Sequence, residues 1–240
     1  MTATLRTLVV APNWVGDTVM AQPVLAALAA TGRELHVLAK PHLASLLRLM
    51  PAGSEVVTRG TTAESIARIP HTPCREAFVL PHSSRPAWLP RRAGVAARFG
   101  YRGNLRGWLL SPAVRRPRGS RHQVEDYETL LEAAGVRPPA SWTPRLETGE
   151  PQRDRASETL ERARVPEGDG PLVGLFAGAE FGPSKRWPWQ RFAELTHALR
   201  RARGDVRLVL IAGPKDVWST VRIHEESGRV APVLGADLDL

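Results

Sequence analysis

Apolar positions in this chain follow two rhythms that alternate along its length. Short uninterrupted runs, "LRTLVVA" (5 to 11), "ELHVLA" (34 to 39), "EVVT" (55 to 58) and "EAFVL" (76 to 80), have the length and β-branched content of strands buried on both faces. Between them the spacing lengthens. In "TVMAQPVLAALAATG" (18 to 32) Met20, Val24, Ala27 and Leu28 share one helical face ahead of a glycine stop, and "HLASLLRLM" (42 to 50) predicts a second helix. Strands alternating with helices predict an α/β fold with a parallel sheet covered on both sides.

Further on, "QVEDYETLLEAAGV" (123 to 136) predicts an amphipathic helix with Tyr127, Leu130, Leu131 and Ala134 on its apolar side and Gly135 at its end. The texture then changes. "RPPASWTPRLETGEPQRD" (137 to 154) has the proline-rich, polar composition of a linker, and "SETLERARV" (157 to 165) just after it adds one helix. The α/β pattern restarts with "PLVGLFA" (171 to 177) as a strand, "WQRFAELTHALRRARG" (189 to 204) as a helix and "VRLVLIAG" (206 to 213) as a strand. The expected organisation is an N-terminal domain over 1–150, a linker region over 151–169 and a second α/β unit over 170–240.

With 240 residues, 42% of them hydrophobic, the chain is long enough for a well-buried core. No apolar run approaches bilayer-spanning length, and "MTATLRTLVVAPNW" lacks the layout of a signal peptide, so a cytoplasmic location is expected. Cys74 is the only cysteine, which excludes an internal disulfide and a cysteine zinc cluster and reads as a structural residue. The formal charge is +9, and no acidic residue falls between Glu76 and Glu125, where arginine recurs from Arg85 to Arg121. Such a window suits an anionic partner, although a solvated basic face explains it equally. Nucleic acid ranks last among the readings, because aromatic residues make up 6% of the chain and Trp88, Tyr101 and Trp108 form no recognisable base-stacking motif.

In open parallel sheets ligands bind beyond the carboxyl ends of the strands, which directs attention to two loops. The first, "APNWVGDT" (11 to 18), brings Gly16 and Asp17 to the mouth of a helix. Asp17 fits either a helix N-cap or a carboxylate that takes a proton from a substrate, and spacing alone favours the cap. The second, "AGAEFGPSKRWP" (177 to 188), offers Gly178 and Gly182 for close backbone approach, the hydroxyl of Ser184, and Lys185 shortly before a helix. Lys185 is one of three lysines in a chain that otherwise uses arginine, which suggests a place suited to a compact point charge. Small residues and a cation ahead of a helix N-terminus make a phosphate site. The spacing is not that of a P-loop, and no dinucleotide-binding Gly-x-Gly-x-x-Gly follows a strand. His82, Ser83 and Ser84 follow the fourth strand without a placed partner.

Three stretches, "NWVGDTVMAQPVLAAL" (13 to 28), "FVLPHSSRPAWLPRRAGVAARFGYRGNLRGWLL" (78 to 110) and "GAEFGPSKRWPWQRFAEL" (178 to 195), together resemble glycosyltransferase family 9, the ADP-heptose:lipopolysaccharide heptosyltransferases, and most of all its heptosyltransferase II branch. The resemblance runs over about residues 5 to 240 and is thin between 137 and 170. It implies a GT-B fold, two Rossmann-like domains with parallel sheets facing across a cleft, and inverting transfer of a heptose from ADP-heptose without a metal or other cofactor. It gives Asp17 the role of accepting the proton of the attacking hydroxyl, reversing the preference for a cap. Lys185 then stands beside the donor diphosphate, with the amides of Gly178 and Ala179 and the hydroxyl of Ser184 on the remaining phosphate oxygens. The implied acceptor is the acidic inner core of lipopolysaccharide, docked on the N-terminal domain with Arg85, Arg98 and Arg102 as its contacts. Work on that acceptor implies peripheral contact with the inner face of the cytoplasmic membrane and no nucleic acid.

The family's later donor loop, with an acidic residue, a small hydroxyl residue and glycine, does not occur before Leu240, although "GPKD" (213 to 216) resembles the loop that precedes it. The second domain is therefore expected to be incomplete in this chain. The competing expectation is a non-catalytic fragment or degraded relative that binds acceptor or sugar without turnover.

Overall fold

A computed structural model of the chain describes residues 4–58, 60, 64–65, 74–119, 121–179, 182–213 and 215–235. They divide into two units, one within Met1–Glu147 and one within Thr148–Asp239.

The first unit is built on six parallel strands, β1 (Arg6–Val10), β2 (Glu34–Ala39), β3 (Glu55–Thr58), β4 (Glu76–Val79), β5 (Ala97–Tyr101) and β6 (Ala113–Val114), in the order β3-β2-β1-β4-β5-β6. β1 lies inside the sheet, and its side chains alternate between two apolar layers. Val9 joins Phe78 under the helical residues Leu25, Leu28, Leu130 and Leu131. Leu8 and Val10 point the other way, Leu8 to Cys74, Ala77 and Leu89, and Val10 to Val79, Ala87 and Leu109. Burial on both faces is why this strand reads as a continuous apolar run. Cys74 is buried in that packing, and burial pushes its thiol up from the ordinary range, in keeping with a structural residue.

The helix expected over 18–32 is two helices, α1 (Val15–Met20) and α2 (Gln22–Ala29), with the break at Ala21. Pro23 has no N–H to give the carbonyl four residues back, so the first helix cannot run through it unbroken. α3 (Ala44–Arg48) follows a 3-10 turn, and α4 (Ser84–Arg92) covers the second face. The helix expected over 123–136 begins as a 3-10 turn at Glu125–Tyr127 and becomes α5 (Glu128–Ala133), ending ahead of Gly135 at φ +67°.

In the second unit α6 (Glu150–Arg162) precedes three parallel strands, β7 (Leu172–Phe176), β8 (Arg207–Ile211) and β9 (Val233–Leu234), interleaved with α7 (Trp189–Ala202) and α8 (Val217–Glu226). The expected linker over 151–169 is largely this helix. Leu160, Ala163 and Val165 pack on Val209, Ile211 and Leu234, so the segment belongs to the unit that follows it. Its helix starts seven residues earlier than its apolar pattern, at a Pro151 suited to a first turn, with the Gly149 N–H donating to Gln152 Oε1 over 3.0 Å.

Candidate active site

In the first unit the strand order turns back on itself at β1, which has β2 on one side and β4 on the other. Connections leave these strands in opposite directions, so a crevice opens at their carboxyl ends. A cavity of about 380 Å³ lies there, and its lining includes Asn13, Lys40, Ser83, Arg85, Pro86 and Leu89. The loop after β1 leads from this crevice into α1. Trp14, not Asp17, occupies the N-cap position, and no side chain caps the helix. Asp17 sits in the first turn, and its Oδ1 accepts a hydrogen bond of 2.8 Å from Gln123 Nε2. The cap reading of Asp17 is thereby replaced by a carboxylate held from the side by an amide.

The surroundings of that pair are aromatic and basic. Burial first, then the Asp17 carboxylate, pushes the Tyr127 phenol up, while the Gln123 side chain hydrogen-bonds to it and partly offsets this. Tyr101 Oη shares a 2.8 Å hydrogen bond with Thr129 Oγ1, and its ring stacks on His82 with centroids 6.0 Å apart. Burial, then Arg116 and Arg106, hold His82 below the ordinary imidazole range. Ser84 Oγ donates to the Asn104 carbonyl over 2.8 Å and is thus engaged in fastening a loop.

The arginines of the acid-free window divide by what they touch. Arg106 is only 1% exposed and donates from Nε to Tyr101 O over 2.7 Å and from Nη1 to Ser83 O over 2.9 Å and to Pro81 O, joining the loops that follow β4 and β5. Arg98 donates to the carbonyls of Leu109, Val95 and Ala96 over 2.5 to 2.8 Å. Its guanidinium is engaged with the backbone, a commitment the sequence does not reveal. Arg85 lines the crevice at β1 and β4, and Arg102 shares a second, open cavity of about 490 Å³ with Arg115, Arg116 and Arg118. Arg116 is paired with the Asp126 carboxylate. Pairing of β6 with β5 brings Arg115 and Arg118 beside Arg102.

In the second unit the loop after β7 is cross-braced to the loop after β8. Arg186 donates to Ala179 O from Nη2 over 3.0 Å and from Nε over 3.3 Å, and its Nη2 also reaches Asp216 Oδ1 at 3.2 Å. A Cβ on Gly178 would run into the Asp216 carboxylate and press on the ring of Phe176, so a larger residue here would have to displace the Asp216 side chain. Gly182, at φ +70°, turns the chain into a 3-10 turn over Pro183–Lys185, which leaves Ser184 and Lys185 exposed just before α7. Neither Arg186 nor Asp216 stands out in the sequence except as neighbours of Lys185 and the final residue of "GPKD". All three lysines of the chain, Lys40, Lys185 and Lys215, follow the carboxyl ends of parallel strands, β2, β7 and β8.

Comparison with known proteins places this geometry. The family described as glycosyltransferase family 9 (heptosyltransferase) matches residues 75–234. Lipopolysaccharide heptosyltransferase 2 of Salmonella typhimurium is 30% identical over 97% of this chain and 68% of its own length. The solved structure of E. coli ADP-heptose lps heptosyltransferase II superposes with a TM-score of 0.81 at 28% identity, over 98% of this chain and 73% of that one. A family 9 glycosyl transferase from Veillonella parvula, 19% identical, shares the fold with a TM-score of 0.85 over 100% of this chain and 71% of that one. The fold is α/β of the GT-B type, with two Rossmann-like units.

Proposed function

Because this chain belongs to glycosyltransferase family 9, we propose that it transfers a heptose from ADP-heptose to the acidic inner core of lipopolysaccharide, in the cytoplasm and with inversion at the anomeric carbon. The observation that carries the reading is Asp17, a carboxylate in the first turn after β1 at the point where strand order reverses, with one oxygen held by Gln123. An acceptor hydroxyl attacks the anomeric carbon as the bond from that carbon to the phosphate oxygen breaks. Asp17 takes the hydroxyl proton, so that the oxygen is more nucleophilic as it bonds. Attack opposite the leaving group inverts the centre.

The departing diphosphate gains negative charge, and a fixed cation near it lowers the barrier. Lys185 supplies that charge in this reading, from a loop held by Gly178, Arg186 and Asp216. The amides of Gly178 and Ala179 and the hydroxyl of Ser184 take the other phosphate oxygens. On the acceptor side Arg85 and Arg102 meet carboxylates or phosphates, joined by Arg115 and Arg118 from the same arginine-lined cavity. Arg98 contributes by fixing β5 to the 3-10 turn after it.

The test is direct. The full-length protein is incubated with ADP-heptose and a lipopolysaccharide acceptor lacking its outer heptose, and the product is read by mass spectrometry. One added heptose with release of ADP is expected; acceptor binding without ADP release overturns the transferase reading in favour of a binding module.

A further inference from the structure

The sugar-transfer reading gives His82 no task, although the fold fixes this residue closely. β4 and β1 pair up to Val79 and Val10, and the Leu80 N–H donates to Val10 O over 3.2 Å. The loop that carries His82 therefore starts beside the loop that carries Asp17. Both neighbours of His82 are tied down, since the buried Arg106 donates to Pro81 O and Ser83 O. The carbonyl of His82 itself accepts from Asn104 Nδ2 over 3.1 Å. Three successive carbonyls are thus engaged, and the backbone from which the imidazole projects is held on both sides.

The ring is seated as well. It stacks on Tyr101 with centroids 6.0 Å and planes 15° apart, and Tyr101 is buried and shares a hydrogen bond with Thr129. Yet His82 remains exposed, and among the described residues no hydrogen bond engages its ring nitrogens. Partial burial, then the charges of Arg116 and Arg106, disfavour the imidazolium, while Asp126 and Asp17 act less strongly the other way. A neutral imidazole presents one N–H donor and one acceptor nitrogen. That pairing matches a hydroxyl, which both gives and accepts a hydrogen bond, better than a carboxylate or phosphate, which only accepts.

We propose, on the premise of the sugar-transfer reading, that His82 binds a hydroxyl of the acceptor sugar close to the one that attacks, and so selects sugars that carry it. The arginines then meet the acceptor's anions, and His82 reads its neutral hydroxyls. A second general base fits less well, because the charges of Arg116 and Arg106 oppose the imidazolium that a base must become. A packing role alone fits less well too, since a phenyl ring would stack on Tyr101 without exposing two unengaged nitrogens.

The experiment uses the full-length protein and the lipopolysaccharide acceptor lacking its outer heptose, with acceptor affinity read by calorimetry and transfer by steady-state kinetics. His82→Phe keeps a ring on Tyr101 and removes both polar atoms, and its melting temperature should match the parent's. Its acceptor affinity should fall about tenfold and its acceptor KM rise by the same factor, with kcat and the KM for ADP-heptose little changed. His82→Asn, whose amide again offers a donor and an acceptor, should bind acceptor within about threefold of the parent. Unchanged acceptor affinity in His82→Phe overturns the role of His82 and leaves the transferase reading standing. So does His82→Asn that binds no better than His82→Phe, or a roughly hundredfold fall in kcat at unchanged affinity, the mark of a base. Acceptor binding without ADP release in the parent removes the transferase reading alone, since the affinities of the two variants still decide what His82 does. A parent that binds no acceptor overturns both.

Discussion

Gln123 Nε2 donates to Asp17 Oδ1 across 2.8 Å, joining two residues 106 apart in the chain. One oxygen of Asp17 is thereby oriented, and in the proposed reaction the carboxylate takes the substrate proton. Asp17→Asn is expected to lower kcat a hundredfold or more with donor affinity retained, and Gln123→Leu to lower kcat about tenfold with little change in KM. The double variant should be no slower than Asp17→Asn alone, because Gln123 acts through a carboxylate that is already gone. Additive losses in steady-state kinetics would give Gln123 a separate role.

The loop after β7 makes a different kind of prediction. Gly178→Ala places a methyl group against the Asp216 carboxylate and the Phe176 ring and should break the Arg186–Asp216 pair. ADP affinity by calorimetry is expected to fall at least about tenfold, the scale of a lost charge-assisted contact. Lys185→Ala should weaken ADP binding and slow the chemical step, and Lys185→Arg should not restore full activity, since a planar fork replaces a point charge. An arginine variant as active as the parent would remove the specific role given to Lys185.

Arg106 is a structural cation, with its guanidinium on the carbonyls of Tyr101, Ser83 and Pro81. Arg106→Met leaves those carbonyls without their donor and should cost roughly 3 kcal/mol of stability. Arg102→Met, at an open cavity, should cost less than about 0.5 kcal/mol. Denaturant melts of the two variants check the contrast.

The chain has two tyrosines, Tyr101 and Tyr127, both buried and both with their phenols pushed up by burial, Tyr101 to about 12. The unfolded phenol, with its ordinary value near 10, releases its proton first as pH rises. The folded state then holds more protons than the unfolded one, so stability is fully present below pH 10 and falls between about 10 and 12. Phenolate absorbance should stay low while the protein is folded and rise together with loss of ellipticity. A phenolate midpoint near 10 in a chain that is still folded contradicts this.

Much of this architecture is written locally. The runs that became β1, β2, β4 and β8 are continuous because both faces of each strand are buried, and burial of a strand is recorded in its own consecutive residues, whereas the equally continuous run of β7 leaves Leu172 and Phe176 exposed. The loops after β1 and β7, with Asp17 and Lys185, were visible for the same reason: each lies between a strand and a helix whose periods differ. The tertiary structure alone decided that β1 stands beside both β2 and β4, which makes the loop before Asp17 the edge of a crevice. It also decided that Gln123 reaches Asp17, that Arg115 and Arg118 join Arg102 while Arg98 and Arg106 turn to backbone carbonyls, and that Arg186 meets Asp216. Those partnerships depend on strand order and on loops closing over long separations, and a local pattern of burial carries no information about which distant side chain arrives.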